Sequence, residues 1–435
     1  MVQTTLDHRM LDHRMLDRRQ FFGGLAGAGA LSAIPSWALA RTSPQWTKVQ
    51  AMLNAYVADG RLPGVIGAVA RGTEPAQFLA AGTLARDNKR PIDADSLWRI
   101  YSMTKPVTGI AAMLLVEDGR LKLDQNIADF IPGFANPRVL VDGTKDLTSR
   151  PAARPITVRH LLTHTAGLGY SIITKGPLLN EYLRLGLTPA SVSRMRLPGQ
   201  PETVTAPSLT EFANRLATLP LIADPGTQWS YSVSLDLLAR VIEVAGGMPF
   251  ETFLQRRLFA PLGMTSTFFQ VPASQLPRLT TNYGILPTGP IPIDAGTTSV
   301  FADKPAFAFG GAGLVGSARD YDRFLAMLAG LGAVGRTRIM KPGTARLAMS
   351  NLLPAGTLTK GSFVDGQGFG AGGRVTTASD ARGSGVGTFG WGGAAATIAW
   401  VDPTRDVRAS GFAQFMPDQA MPFTTDFGRA VYASL

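Results

Sequence analysis

Strand-like sequence lies at both ends of this 435-residue chain and helical sequence fills its middle, a layout that few folds accommodate. Near the amino terminus, apolar Val65–Ala70 and Gln77–Ala81 flank the turn-like Gly72-Thr73-Glu74-Pro75, which reads as a hairpin of buried strands. Near the carboxyl terminus, Ala394–Val401 and Val407–Phe412 flank Asp402-Pro403-Thr404-Arg405, and Thr424–Ala433 reads as a closing helix. Between about 120 and 300, Pro and Gly cut the chain into short helices, among them Thr157–Leu162, Leu209–Leu216 and Ser234–Ala245. Ser317-Ala318-Arg319-Asp320 is an N-cap with an acid three residues on, leading into Tyr321–Leu328. The layout predicts an α/β lobe assembled from about 41–120 and 300–435, with a helical lobe inserted across about 121–299.

Composition removes several chemistries. The chain has no cysteine, so disulfides, thiolate zinc sites, iron–sulfur clusters and cysteine nucleophiles are excluded. The four histidines are His8, His13, His160 and His164. The formal net charge of +11 raises the question of nucleic acid, but the cations are mostly arginine and scattered, with no long basic run and no interleaved aromatics. Dispersed charge of that kind builds no groove for a phosphate backbone, and no nucleic-acid partner is expected.

Residues 1–40 read as a leader. A tandem LDHRM-LDHRM-LDRRQ, whose last unit carries Arg18-Arg19-Gln20, runs into Phe21-Phe22, a Gly/Ala-rich apolar stretch and a terminal Ala38-Leu39-Ala40. Twin arginines, a weakly apolar middle and an A-x-A end resemble a twin-arginine export signal. Phe21–Ala40 carries no charge, as a membrane span would, but its glycines and Pro35 make a poor one. The expectation is a periplasmic or secreted protein with no stable membrane insertion.

A Ser-His-Asp hydrolase on an α/β-hydrolase scaffold requires the elbow G-x-S-x-G, and no serine here sits in that context. His160 and His164 are four residues apart, a spacing that places both on one helical face, but no HExxH glutamate lies between them. A hydrogen-bonded structural pair is the expected role, and neither a metal nor a cofactor is expected. The other route to a serine nucleophile uses lysine as base. Ser102-Met103-Thr104-Lys105 is the one S-x-x-K in the chain. It falls where strand-like sequence gives way to a helix, and the i, i+3 spacing puts Lys105 on the face of Ser102. Apolar Trp98, Ile100, Val107 and Ile110 can supply the desolvation that keeps a lysine partly neutral. Taken alone, the tetrapeptide is equally an N-cap serine with a solvated lysine one turn on.

Wider sequence separates the two. Leu97-Trp98-Arg99-Ile100-Tyr101-Ser102-Met103-Thr104-Lys105-Pro106 resembles the nucleophile segment of the serine β-lactamase-like hydrolases. Ile156–Leu168, Pro225-Gly226-Thr227-Gln228-Trp229-Ser230-Tyr231-Ser232, Gly310-Gly311-Ala312-Gly313-Leu314 and Phe389-Gly390-Trp391-Gly392-Gly393-Ala394 resemble further segments of that superfamily, in its order, from about residue 50 to the end. The resemblance implies a β-lactamase/transpeptidase-like fold: an α/β domain whose antiparallel sheet is flanked by helices, plus an inserted all-α domain. It makes Ser102 the acyl-accepting nucleophile, Lys105 its base and Tyr231 part of the proton relay. The backbone N–H groups of Ser102 and Ala394 become the oxyanion hole, with Ala394 on a strand after Trp391-Gly392-Gly393.

Two departures point to the subfamily. β-Lactamases and penicillin-binding proteins carry Lys-Thr-Gly where this chain has Trp391-Gly392-Gly393, and the Asn of their Tyr-x-Asn motif is Val233. A cation for a substrate carboxylate and an amide for an acylamino group are thereby lost. W-x-G at this place resembles the family VIII carboxylesterases, so Trp391, Gly392, Gly393 and Val233 are expected to line a pocket for small esters. Trp391 as a rigid core residue is the plainer alternative. β-Lactamase or D-amino-acid peptidase activity, or acyl transfer to an acceptor other than water, are the competing activities, and a non-catalytic binding protein the remaining one.

Overall fold

Alternation of side chains along the terminal strands builds the layers of this protein. In the computed structural model, which describes residues 44–189, 192–195, 204–380 and 383–435, Val65 and Val69 face one side of the strand Gly64–Arg71 and Ile66 the other. That two-residue period marks a strand buried on both faces. The export reading of residues 1–40 lies outside the described residues.

Gly64–Arg71 pairs antiparallel with Gln77–Gly82 on one side and with Val407–Phe412 on the other, Ile66 opposite Phe412. The seven-stranded sheet continues through Thr397–Asp402, Phe389–Gly393, Arg374–Val375 and Gly368–Phe369, each neighbouring pair antiparallel. Strands from the first and last parts of the described residues therefore meet inside one sheet. Helices Thr47–Ala58 and Phe423–Tyr432 cover one face, packing Leu53, Phe423 and Phe427 against Val65, Val69 and Trp400. Helices Thr104–Glu117 and Ala318–Ala329 cover the other and extend the core to Leu209–Leu216 and Ser234–Gly246. Ser317 caps Ala318–Ala329 as its sequence predicts, its hydroxyl accepting the Asp320 N–H at 3.1 Å.

One contact shows how the first layer is locked. Gly67 and Gly411 lie opposite each other in the sheet, and a Cβ at either would come 2.6 or 2.8 Å from the Phe427 ring. Two absent side chains thus form a socket for one aromatic. Phe427→Ala is expected to cost about 3–5 kcal/mol of stability, read as a lower midpoint in chemical denaturation. An unchanged midpoint would exclude the socket as a stabilising feature.

The structure departs from the sequence reading at three places. Gln77–Gly82 is an edge strand with only Leu79 buried, because no further strand covers it. Short strands interrupt the middle of the chain, including Arg138–Leu140 with Ser149–Pro151 and Asn282–Leu286 with Gly289–Asp294. The strand expected at Ala394–Val401 is a hairpin instead: Phe389–Gly393 runs up, residues 394–396 turn, and Thr397–Asp402 runs back. Gly390, Gly392 and Gly393 carry no strand propensity, so their strand is imposed by pairing with its neighbours.

Candidate active site

The short strand Leu97–Arg99 delivers the chain to a tight 3-10 turn, Tyr101–Met103, which opens directly into the helix Thr104–Glu117. Tyr101 enters that turn with φ of 40°, in the left-handed region that a bulky residue occupies only under strong surrounding constraint. Part of the constraint is Arg99. Its fully buried guanidinium donates through Nε to Asp294 Oδ2 at 2.6 Å, and further bonds reach the carbonyls of Thr280 and Asp294. The strand is thereby tied to Thr280 and to the end of the strand Gly289–Asp294, and Ser102 is held at the tip of the turn.

The helix is buried all round from Thr104 to Leu115, and it carries Lys105 inward with it. Lys105 Nζ donates to Ser102 Oγ at 3.1 Å and to the Gly311 carbonyl at 2.7 Å. Tyr231 reaches the same hydroxyl from the segment before the helix Ser234–Gly246, its OH donating to Ser102 Oγ at 2.7 Å. Lys105 Nζ lies 4.6 Å from the Tyr231 ring centroid. Trp391 Nε1 donates to the Tyr231 hydroxyl at 3.4 Å. The three polar side chains singled out from the sequence therefore converge on one oxygen, and two of them can accept its proton once they have lost their own.

The glycine-rich strand closes the site from the other side. A Cβ on Gly393 would lie 2.3 Å from the Ile100 carbonyl, so only glycine lets this strand approach the serine turn. Ser102, Tyr231, Trp391, Gly392, Gly393 and Ala394 all line one cavity of about 380 Å³. Ala394 sits at the start of the hairpin turn rather than within a strand, with its side chain exposed. Val233 departs from its expected place. It is 1% exposed, packs into the hydrophobic core and does not line the cavity, since it stands at the entrance to the helix Ser234–Gly246 and turns inward. Phe363 and Ile172, at 62% and 59% exposure, line the cavity mouth instead. Phe363 meets Tyr231 edge to face, with ring centroids 5.7 Å apart.

The histidine pair does not share a helical face. The helix Val158–Leu162 ends before His164, whose φ is 55°. His160 accepts the Thr157 N–H through Nδ1 at 3.1 Å and completes a capping box; burial pulls it down to about 4. His164 is fully buried and bonded through Nδ1 to Ser232 Oγ at 2.9 Å, and burial, with the Lys105 charge, holds it well below the ordinary range of histidine. Sequence reasoning missed the part played by Gly311, whose carbonyl holds Lys105, and the aromatic packing of Tyr170 and Trp229 around Tyr231. The motif Gly310-Gly311-Ala312 marked the segment without showing what it touches.

A serine bonded to a lysine one helical turn on and to a buried tyrosine, beside a glycine-rich strand of an antiparallel sheet, defines the serine β-lactamase-like class of site. The chain belongs to the Beta-lactamase family, whose model matches residues 49–432. An uncharacterized protein of Mycobacterium tuberculosis is 33% identical, over 85% of this chain and 90% of the relative. Esterase EstB of Burkholderia gladioli is 32% identical, over 64% of this chain and 68% of its own length. Among solved structures, EstCE1, described as a hydrolase with promiscuous acyltransferase activity, superposes with a TM-score of 0.72 at 26% identity, covering 89% of this chain and 98% of its own. Unliganded simvastatin synthase (LovD) of Aspergillus terreus, at 23% identity, shares the fold with a TM-score of 0.72, covering 90% of this chain and 98% of its own.

Proposed function

We propose that this protein is a serine esterase acting on small carboxylic esters through an acyl-enzyme on Ser102. The observation that carries the reading is the convergence of Lys105 Nζ and the Tyr231 hydroxyl on Ser102 Oγ. With Lys105 in its neutral amine form, Ser102 attacks the ester carbonyl while the amine takes up its proton, and the backbone N–H groups of Ser102 and Ala394 meet the developing oxyanion. Tyr231 lies between the lysine and the cavity and relays the proton to the departing alkoxide. Water then enters, loses a proton to the same pair and hydrolyses the acyl-enzyme. The names of EstB and EstCE1 support ester chemistry.

Substrate choice follows from the walls. Trp391, Phe363 and Ile172 offer apolar surface, and the position of the family's Lys-Thr-Gly cation carries an indole. One lost charge-assisted hydrogen bond is worth about 10- to 100-fold in selectivity. Measured side by side, kcat/KM for p-nitrophenyl acetate and butyrate is expected to exceed that for a cephalosporin and a D-alanyl-D-alanine peptide by at least that factor. Preference for the cephalosporin or the peptide would overturn the ester reading. The description of EstCE1 supports acyl transfer as a second activity of the same intermediate, read as ester product when a short alcohol competes with water.

A further inference from the structure

The hydrogen bond that holds Lys105 in place ends on a backbone carbonyl, and a backbone carbonyl needs an anchor of its own. Gly311 receives Lys105 Nζ on its C=O at 2.7 Å, while its N–H donates to Asp236 Oδ1 at 2.9 Å. Its neighbour Gly310 accepts the Thr108 hydroxyl at 2.7 Å, so the glycine pair is stapled to the Lys105 helix on one side and to the Asp236 helix on the other. The fit leaves no slack. A Cβ on Gly311 would lie 2.6 Å from Asp236 Oδ2, and one on Gly310 would lie 2.5 Å from the Leu235 carbonyl.

Asp236 is 3% exposed, and a buried carboxylate costs stability unless paired. Burial raises it from the ordinary carboxylate range, while the Lys105 charge and the Gly311 N–H pull it back. The titratable groups facing this centre are Lys105 from its helix, His164 and Tyr170 from the segment after Val158–Leu162, and Tyr231 from the segment before Asp236. His164 is held neutral by burial, and burial likewise keeps Tyr170 protonated. Asp236 and Lys105 are the pair left facing each other across Gly311.

We infer that Asp236 is a positioning residue for the acyl-transfer reaction: through Gly311 it fixes Lys105 on Ser102, and it places a buried carboxyl behind the reacting groups. The inference rests on the proposed serine mechanism but assigns a residue that does not touch substrate. Two variants separate its parts. Asp236→Ala removes both the acceptor and the charge. Asp236→Asn keeps an oxygen for the Gly311 N–H and removes only the charge.

The test compares wild type, Ser102→Ala and both Asp236 variants for p-nitrophenyl acetate hydrolysis across pH, with a thermal melt of each. Asp236→Ala is expected to lose about 10²-fold in kcat with little change in KM, the scale of a misplaced catalytic group. Asp236→Asn is expected to recover most of kcat at its own optimum. Because a buried negative charge beside the reacting groups is removed, the acid limb of its pH–rate profile is expected to move to lower pH by about one unit. If Asp236→Ala does not fold, that displacement in Asp236→Asn decides alone. Melting points that fall while kcat and the pH profile stay at wild type would reduce Asp236 to a structural residue and overturn the inference. Labelling of Ser102 by a fluorophosphonate is followed in parallel. Wild type that labels but does not hydrolyse the ester overturns the esterase reading only. The labelling rates then test Asp236: a slow Asp236→Ala and a displaced Asp236→Asn support it, and profiles equal to wild type overturn it. Wild type that does not label overturns both.

Discussion

Ser102→Ala is expected to lower turnover of a small aryl ester by about three orders of magnitude or more while leaving the protein folded. The first half follows from chemistry: without an oxygen at this position no acyl-enzyme forms, and what remains is the rate that oxyanion donors and binding give to direct attack by water. The second half follows from the surroundings. Lys105 keeps its bond to the Gly311 carbonyl, and Tyr231 keeps its contact with Trp391, so neither polar group is left buried without a partner. The measurement is kcat/KM on purified Ser102→Ala with a melting curve beside it. Near-wild-type turnover in folded protein would sink the serine mechanism. Loss of turnover together with loss of fold would say nothing for it, which is why the melt belongs to the experiment.

How far the site could be read in advance depended on the range of each contact. Ser102 and Lys105 are three residues apart on a helix, and helical geometry alone predicts their meeting. Tyr231 lies 129 residues from Ser102, beyond any local rule, and entered through the resemblance of Trp229-Ser230-Tyr231 to a family segment. Gly311 and Asp236 stand 206 and 75 residues from their partners, and nothing local in the sequence marks them as a relay. Val233 shows the opposite error. Its place in a motif was legible, but the direction of its side chain was not, because that depends on how Ser234–Gly246 packs.

The fold was legible for a similar reason. Paired terminal strands and capped helices announce themselves through period and turn chemistry, as Ser317 and Gly64–Arg71 do. The glycine-rich strand Phe389–Gly393 broke those local rules, and it is the strand that must approach Ser102 most closely. Local propensity was given up there because an ordinary side chain at Gly393 would collide with the serine turn.

Lys105→Met carries the second large effect: an expected loss of about three orders of magnitude in kcat/KM, with a lower melting temperature but an intact fold, because the buried Gly311 carbonyl and Asp236 lose their partner. Methionine matches the length of the lysine stem and fills its buried space, so the change subtracts the amine with little change of volume. Lys105 is fully buried, and removing one member of a buried polar network leaves its partners to bear their own desolvation cost. The variant leaves Gly311 O without a donor and Asp236 without the opposite charge that offsets its burial, so Asp236 is expected to become protonated. A neutral Asp236 can still accept the Gly311 N–H, which keeps the staple closed and the fold intact. The consequence is measurable in a double-mutant cycle. Once Lys105 is methionine, the further change Asp236→Asn should alter neither residual turnover nor melting temperature appreciably, whereas the same change in wild type displaces the pH profile. Full activity in Lys105→Met would remove the lysine from the mechanism and leave Tyr231 as the sole proton acceptor beside Ser102.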